Sequence, residues 1–209
     1  AFIMVDNAGE NSIMIYAGAN NAFTPKQVQE HQEIIEKSDF VIAQFESAID
    51  STIAAFKIAK KAGVKTILNP APALEQVPEE LLNVTDMIVP NETETEILTG
   101  IKITDEASMR KAAEALHQLG IEAVIITVGS KGAFYDVNGR SGIVPAFKVK
   151  AVDTTAAGDT FIGALSSILE KDFSNLEEAI RYGNKASSLT VQRFGAQPSI
   201  PYQHELADK

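Results

Sequence analysis

Four short stretches carry the residue types that chemistry needs. The first is "DTTAAGDTF", residues 153–161, with Asp153 and Asp159 six apart around small residues. "IGALSSIL" follows it, and Phe161, Leu165 and Leu169 recur there at helical spacing. Ahead of it, "FKVKAVD" alternates apolar Phe147, Val149 and Val152 with lysines, which predicts a strand. Asp159 would then open a helix at a strand-to-helix junction. Gly158 would permit a tight turn and keep side chains clear of a ligand. The first amides of a helix lack intrahelical partners and lie at its positive end, so they can bind an anion. A carboxylate at an anion site is suited to take a proton beside a phosphate under attack. The alternative reading makes Asp159 a helix N-cap, with the alanines packed closely around it.

The other three stretches are "FE" at Phe45-Glu46, "NETETE" at 91–96 and "TVGSKG" at 127–132. Asn91 and Glu94 stand where a helix starts. They serve either to complement the helix dipole or as a magnesium and phosphate station, in which carboxylates act through metal-bound waters. Thr127, Val128, Gly129, Ser130, Lys131 and Gly132 form either a plain turn or a phosphate-holding loop. The spacing of a Walker A loop is absent, and so is a strand–G-x-G-x-x-G–helix unit. No G-x-S-x-G elbow occurs. His31, His117 and His204 are far apart in surface-like contexts, which reads as solvated helix histidines rather than a metal triad.

Elements must bring these groups together. "FVIAQF", "VKTILNP", "DMIVP" and "EAVIITVG" are short apolar strands separated by helical patterns. This alternation predicts a mainly parallel sheet covered on both faces, a three-layer α/β/α domain. Ligands bind outside the carboxyl ends of such strands. Glu46, "NETE", "GSKG" and "DTTAAGD" each follow a predicted strand, so all four are expected at one edge. Thr24 and Pro25 start a helix over "FTPKQVQEHQEIIEKSD", and Gly63 stops one over "STIAAFKIAKKAG". Asn138-Gly139 predicts a hairpin, and two helices near 158–170 and 175–192 close the domain. "AFIMVD" and "NSIMIY", joined by "NAGE", predict an opening hairpin over 2–16. The expected division is a lid hairpin, 1–18, and an α/β nucleotide-binding and catalytic domain, 19–209.

The 209 residues carry a net charge of −10, which argues against nucleic acid or an anionic membrane as partner. There is no cysteine, so disulfides, thiolate catalysis and cysteine-bound zinc are excluded. With no apolar run of spanning length and no signal peptide pattern, cytoplasm is the default location. Ala1 is not a methionine and "AFIMV" already reads as a strand, so an amino-terminal piece is expected ahead of it.

At "DTTAAGDTF", taken with "LNPAPA", "NETETE", "TVGSKG" and "GAQPSIP", the chain resembles the ribokinase family of sugar kinases over essentially all its length. The resemblance implies ATP-dependent phosphorylation of D-ribose at its 5-hydroxyl, giving D-ribose 5-phosphate. It implies Asp159 as the base and the amides of Ala156, Ala157 and Gly158 as the anion hole. Glu46 would touch sugar hydroxyls, Asn91 phosphate, and Glu94 magnesium through water. Residues Thr127 to Gly132, Gly158 and Asn184 would bind the nucleotide. Asp153, Thr155, Thr190, Arg193, Gly195 and Ser199 match a monovalent-cation site, usually filled by potassium, which would order the anion-hole loop. A homodimer through the lid is also implied. Family chains have an amino-terminal third with a Gly-Gly-x-Gly-x-Asn segment and an early aspartate that grip the sugar. Those residues do not occur in this sequence, so the 209 residues by themselves are expected to bind ATP weakly at best and not to phosphorylate ribose. Sister kinases acting on deoxyribose, fructose or adenosine are the alternatives, as is a non-catalytic nucleotide-binding relative.

Overall fold

The computed structural model describes residues 1–5 and 11–207. Strands β1 (Phe2–Val5) and β2 (Asn11–Met14) pair antiparallel, Phe2 opposite Met14 and Val5 opposite Asn11. The predicted "NAGE" turn lies outside the described residues. Six further strands form one sheet in the order β3 (Phe40–Ala43), β4 (Lys65–Leu68), β5 (Met87–Ile88), β6 (Ala123–Thr127), β7 (Ala133–Val137) and β8 (Arg140–Val144). The first four are parallel to their neighbours, as the alternation of apolar runs and helices predicts. β7 and β8 are joined by Asn138 and Gly139, both at positive φ (51° and 73°). Positive φ at both central residues matches the twist of the flanking strands in a two-residue hairpin.

The chain divides into two compact units. One comprises Ala17–Val128 with Phe134–Gly142 and holds most of the sheet. Helix α1 (Pro25–Glu30) begins with a capping box between Thr24 and Gln27, with proline at its first position. One helix was expected over this stretch. Instead the chain breaks at His31 (φ −111°, ψ 18°), whose amide bonds the carbonyl only three residues back, and α2 (Gln32–Glu36) restarts beyond it. α3 (Ile49–Ala62) ends at left-handed Gly63 as read from the sequence. After the single turn α4 (Glu79–Leu82), α5 (Glu92–Thr99) and α6 (Glu106–Gln118) complete the covering helices. Ile53 and Phe56 of α3, Leu81 and Leu82 of α4, and Met109, Ala112 and Leu116 of α6 pack with Leu68, Ile88, Val124 and Ile126 into one core. Ile67, Met87, Ala123 and Ile125, one residue out of phase, are fully buried too, so the strands are covered on both faces.

At the start of β4 and β5, Asp86 is buried and accepts from Lys60 Nζ (2.6 Å), the Thr66 amide (2.9 Å) and Thr66 Oγ1 (3.0 Å). Burial pushes its carboxyl upward. The Lys60 bond, the Thr66 amide and the charges of Lys60 and Lys65 outweigh that, and it titrates below the ordinary value of 3.8.

The second unit comprises Ala1–Tyr16, Gly129–Ala133 and Ile143–Lys209. Its helices are α7 (Ala157–Ile168), α8 (Leu176–Thr190) and a short α9 (Gln203–Leu206). The strand expected over 147–153 does not form: residues 145–150 have no regular structure. Alternation is only a burial pattern, and here Phe147 and Val149 are exposed, with no ladder to stabilise an extended run.

Candidate active site

In the first unit three of the predicted groups follow the carboxyl ends of the parallel strands β3, β5 and β6. Glu46 lies in the turn after β3 and is exposed. The Phe45 amide, donating to the Ala71 carbonyl at 2.9 Å, pins that turn. Asn91 caps α5 just beyond β5, and a parallel bridge pairs it with Thr127 at the end of β6. The Thr127 amide donates to the Pro90 carbonyl at 2.9 Å, which carries the ladder past the strand ends and holds the two residues side by side.

Asn91 and Glu94 interlock. The Glu94 carboxylate accepts from the Asn91 amide (2.8 Å) and from Nδ2 (2.9 Å), while Asn91 Oδ1 accepts from the Glu94 amide (2.8 Å). The two residues thus form the capping box of α5. Burial raises the Glu94 carboxyl above its ordinary 4.5, against the lowering effect of the Asn91 amide. A carboxylate offers about four acceptor sites, so two stay open for waters.

In the second unit, Gly129–Lys131 make one turn of 3-10 helix and the Gly132 amide closes on the Gly129 carbonyl at 3.1 Å. Gly132 sits at φ 110°, and a Cβ there would lie 2.1 Å from the Val144 carbonyl oxygen. Only glycine fits. Asn184 is buried in the middle of α8 and donates through Nδ2 to the carbonyls of Val144 (3.1 Å) and Pro145 (3.2 Å).

The opening of α7 differs from expectation in two respects. Its N-cap is Ala156, at φ 61° and ψ 13°, with no side-chain cap bond. The left-handed residue is thus Ala156, whereas Gly158 is helical, with open space where a Cβ would stand. Asp159 is not the N-cap either but the third helical residue. It is exposed, and among the described residues its carboxylate has no hydrogen bond or ion pair. The Ala157 amide is given to the Thr154 carbonyl (3.2 Å), while the amides of Gly158 and Asp159, as second and third in the helix, have no intrahelical acceptor.

Asp153 ties this loop to the end of α8. Its Oδ1 accepts from the Thr155 amide and its Oδ2 from the Gly195 amide, both at 2.9 Å. The Thr155 side chain, with those amides, holds the buried carboxyl below its ordinary 3.8 despite desolvation. Of the other residues matched to a cation site, Arg193 donates its amide to the Thr190 carbonyl (3.0 Å) and its guanidinium to Glu205, and buried Ser199 sits in a 3-10 turn on the Ala196 carbonyl. Three of the about four acceptor sites of the Asp153 carboxylate are thus taken, which leaves about one open for a cation. No cluster of three or more acidic, histidine or cysteine side chains suited to a metal occurs among the described residues. His117 instead bonds the Ile121 carbonyl through Nδ1 (2.8 Å).

Sequence reading named Thr190 only for a cation site and missed the α8 face that meets α7. Gly183, Ser187 and Thr190, spaced four and three apart, make one helical face, and that face meets α7. A Cβ on Gly183 would lie 2.9 Å from the Phe161 carbonyl oxygen. The Ser187 hydroxyl donates to the Ala157 carbonyl at 2.9 Å, and that of Thr190 to Thr160 Oγ1 at 3.1 Å.

The profile of the pfkB family carbohydrate kinases matches residues 1–203. The bifunctional ribokinase/ribose-5-phosphate isomerase A of Fructilactobacillus sanfranciscensis is 54% identical over 206 residues, 99% of this chain and 38% of that protein. The ribokinase of Staphylococcus aureus is 52% identical over 206 residues, 99% of this chain and 67% of its own. Among solved structures, Arabidopsis thaliana ribokinase complexed with ribose and ATP superposes with a TM-score of 0.88 at 34% identity, over 98% of this chain and 66% of the other. No helix among the described residues is long and apolar enough to cross a membrane.

Proposed function

The chain belongs to the pfkB family of carbohydrate kinases, and on that premise we propose that it serves the transfer of the γ-phosphoryl group of ATP to the 5-hydroxyl of D-ribose. The products are D-ribose 5-phosphate and ADP. The observation that carries this reading is Asp159: an exposed, unpartnered carboxylate in the first turn of α7, next to amides without intrahelical acceptors. Asp159 takes the hydroxyl proton as the sugar oxygen bonds to the γ-phosphorus and the bond to the ADP oxygen breaks. The Gly158 amide bears most of the developing charge, with Ala156 and Ala157 beside it, since the Ala157 amide is already given to Thr154. There is little other chemistry for a protein to do in phosphoryl transfer, so positioning supplies much of the acceleration.

In the same reading Glu46 binds sugar hydroxyls, and Thr127 to Gly132 with Asn184 hold the nucleotide. Asn91 reaches phosphate, and Glu94 uses its open acceptor sites on the waters of a magnesium ion, which supplies charge neutralisation when bound. Asp153, Thr155, Thr190, Arg193, Gly195 and Ser199 surround a potassium ion. The location is the cytoplasm, and the assembly is a homodimer through β1 and β2, as the lid of the expected two-domain division.

The test is a product assay on the full natural protein with ATP, magnesium and one sugar at a time. Ribose 5-phosphate as the main product supports the reading. Preference for deoxyribose, fructose or adenosine would replace it with a sister kinase, and ATP binding without transfer to any acceptor would make the protein a non-catalytic relative.

A further inference from the structure

Among the described residues, α1, α5 and α6 begin with reciprocal side-chain caps: Thr24 with Gln27, Asn91 with Glu94, and Asp105 with Ser108. α7, which carries Asp159, has none; α2, α3, α4 and α8 have none either, but only the N-cap of α7 is left-handed. Its N-cap is an alanine, which has no atom to cap with, held in a left-handed conformation that is unfavourable for a residue bearing a Cβ. Absence of a cap adds to that cost. Such a turn persists only where the surroundings determine it.

The surroundings here are the last turn of α8. The Val191 carbonyl accepts the amides of Val152 (2.7 Å) and Asp153 (3.3 Å), which anchors the approach to the turn. The buried Thr190–Thr160 hydroxyl pair anchors the residue after Asp159. Ser187 reaches the carbonyl of Ala157, the first helical residue, two before Asp159. As a first-turn carbonyl it also accepts the Phe161 amide in the helical pattern, and its second lone pair takes the serine proton.

We propose that Ser187 is a positioning residue for Asp159: its hydroxyl, donated to the Ala157 carbonyl, holds the opening turn of α7 in place of the cap that helix lacks. The catalytic consequence rests on Asp159 being the base proposed above. The structural one does not. Ser187 is only half-buried on a regular helix, so removing its hydroxyl leaves α8 and its packing intact. The opening turn loses the anchor nearest its first helical residue, while those through Thr190, Val191 and Gly195 remain. A base displaced by a fraction of an ångström loses alignment with the attacking hydroxyl, a loss that reaches the order of a hundredfold per ångström.

The experiment compares Ser187→Ala, Ser187→Thr and, as control, Ser188→Ala in the full natural protein. The Ser188 hydroxyl bonds the Lys185 carbonyl within its own helix (2.7 Å), and among the described residues no hydrogen bond joins it to α7. Ser187→Ala is expected to lower kcat roughly tenfold with KM for ribose and ATP within about twofold, and Ser187→Thr to recover most of it. Ser188→Ala is expected to change neither. Independently of activity, hydrogen exchange at the Thr160 and Phe161 amides should speed up roughly tenfold in Ser187→Ala alone. Unchanged kcat with unchanged exchange, or equal losses in Ser187→Ala and Ser188→Ala, would overturn the proposal. If the unmutated protein phosphorylates no sugar, the reading of Asp159 as a base fails separately, and the exchange rates alone then decide whether Ser187 holds the turn.

Discussion

Asp159 and Asp153 are two carboxylates six residues apart that the fold treats in opposite ways. Asp159 is left exposed and, among the described residues, unpartnered, as the proposed proton acceptor must be before substrate arrives, while Asp153 is buried and given two amides. Replacing Asp159 by alanine should cut turnover about a hundredfold or more while nucleotide affinity stays within a few-fold, by steady-state kinetics and titration of ATP. Asp153 carries the acid limb of stability. Its carboxyl titrates below 3.8 in the folded chain, so the stabilisation is complete above that pH and is lost as pH falls through the lower, folded value. Asp86 behaves in the same sense. Asp153→Asn should therefore lower stability near neutrality and shrink the stability lost between about pH 5 and pH 2, followed by denaturant unfolding across that range. An asparagine there would point an NH2 group at the Thr155 or the Gly195 amide, and unaltered acid unfolding would show that these bonds contribute little.

Between elements, the contact that matters most is the close approach of α7 and α8. Gly183 lets the helices meet at the Phe161 backbone, whereas Gly163, on another face of α7, has nothing within 4 Å of a built Cβ. Identical substitutions should thus have opposite signs. Gly183→Ala is expected to destabilise by about 1–3 kcal/mol, because backbone must shift to admit the methyl group. Gly163→Ala is expected to be neutral or to stabilise by about 0.5–1 kcal/mol, since it removes a helix-interior glycine without a clash. Thermal or denaturant unfolding of the two variants side by side checks both. In the other unit, the Asn91–Glu94 box consumes about half the acceptor capacity of Glu94, which leaves room for the proposed ligand role beside the cap.

For the molecule, two parts of the proposed reading reach beyond the chain's own packing. The opening hairpin leaves Phe2 60% and Met14 62% exposed, and Tyr16 91%. A two-stranded hairpin with apolar groups in water is marginal, so the proposed dimer contact covers it. Phe2→Lys combined with Met14→Lys should convert a dimer to monomer in analytical ultracentrifugation, and a wild-type protein already monomeric at high concentration removes the lid contact from the reading. The proposed cation is tested by exchanging sodium or choline for potassium at constant ionic strength. Activity should rise with potassium, and Asp153→Asn should blunt the response; indifference to the ion would discard the site.

The sequence by itself determined the parallel strands, the Thr24 cap of α1, the Gly63 stop of α3, the Asn138-Gly139 hairpin and the positions of Glu46, Asn91 and Thr127 at strand ends. Those features rest on local chemistry: apolar runs, cap hydroxyls and carboxylates, and glycines where φ must be positive. Tertiary structure alone decided what surrounds Asp159. Its helix opens on an alanine in a conformation alanine avoids, so no local signal marks the start, and the sequence reading placed the turn at Gly158 and a strand over 147–153. That conformation is held by Ser187, Thr190, Val191 and Gly195, some 30–40 positions along the chain. Hydrogen bonds of that range depend on how two helices dock, which no window of residues around "DTTAAGD" contains.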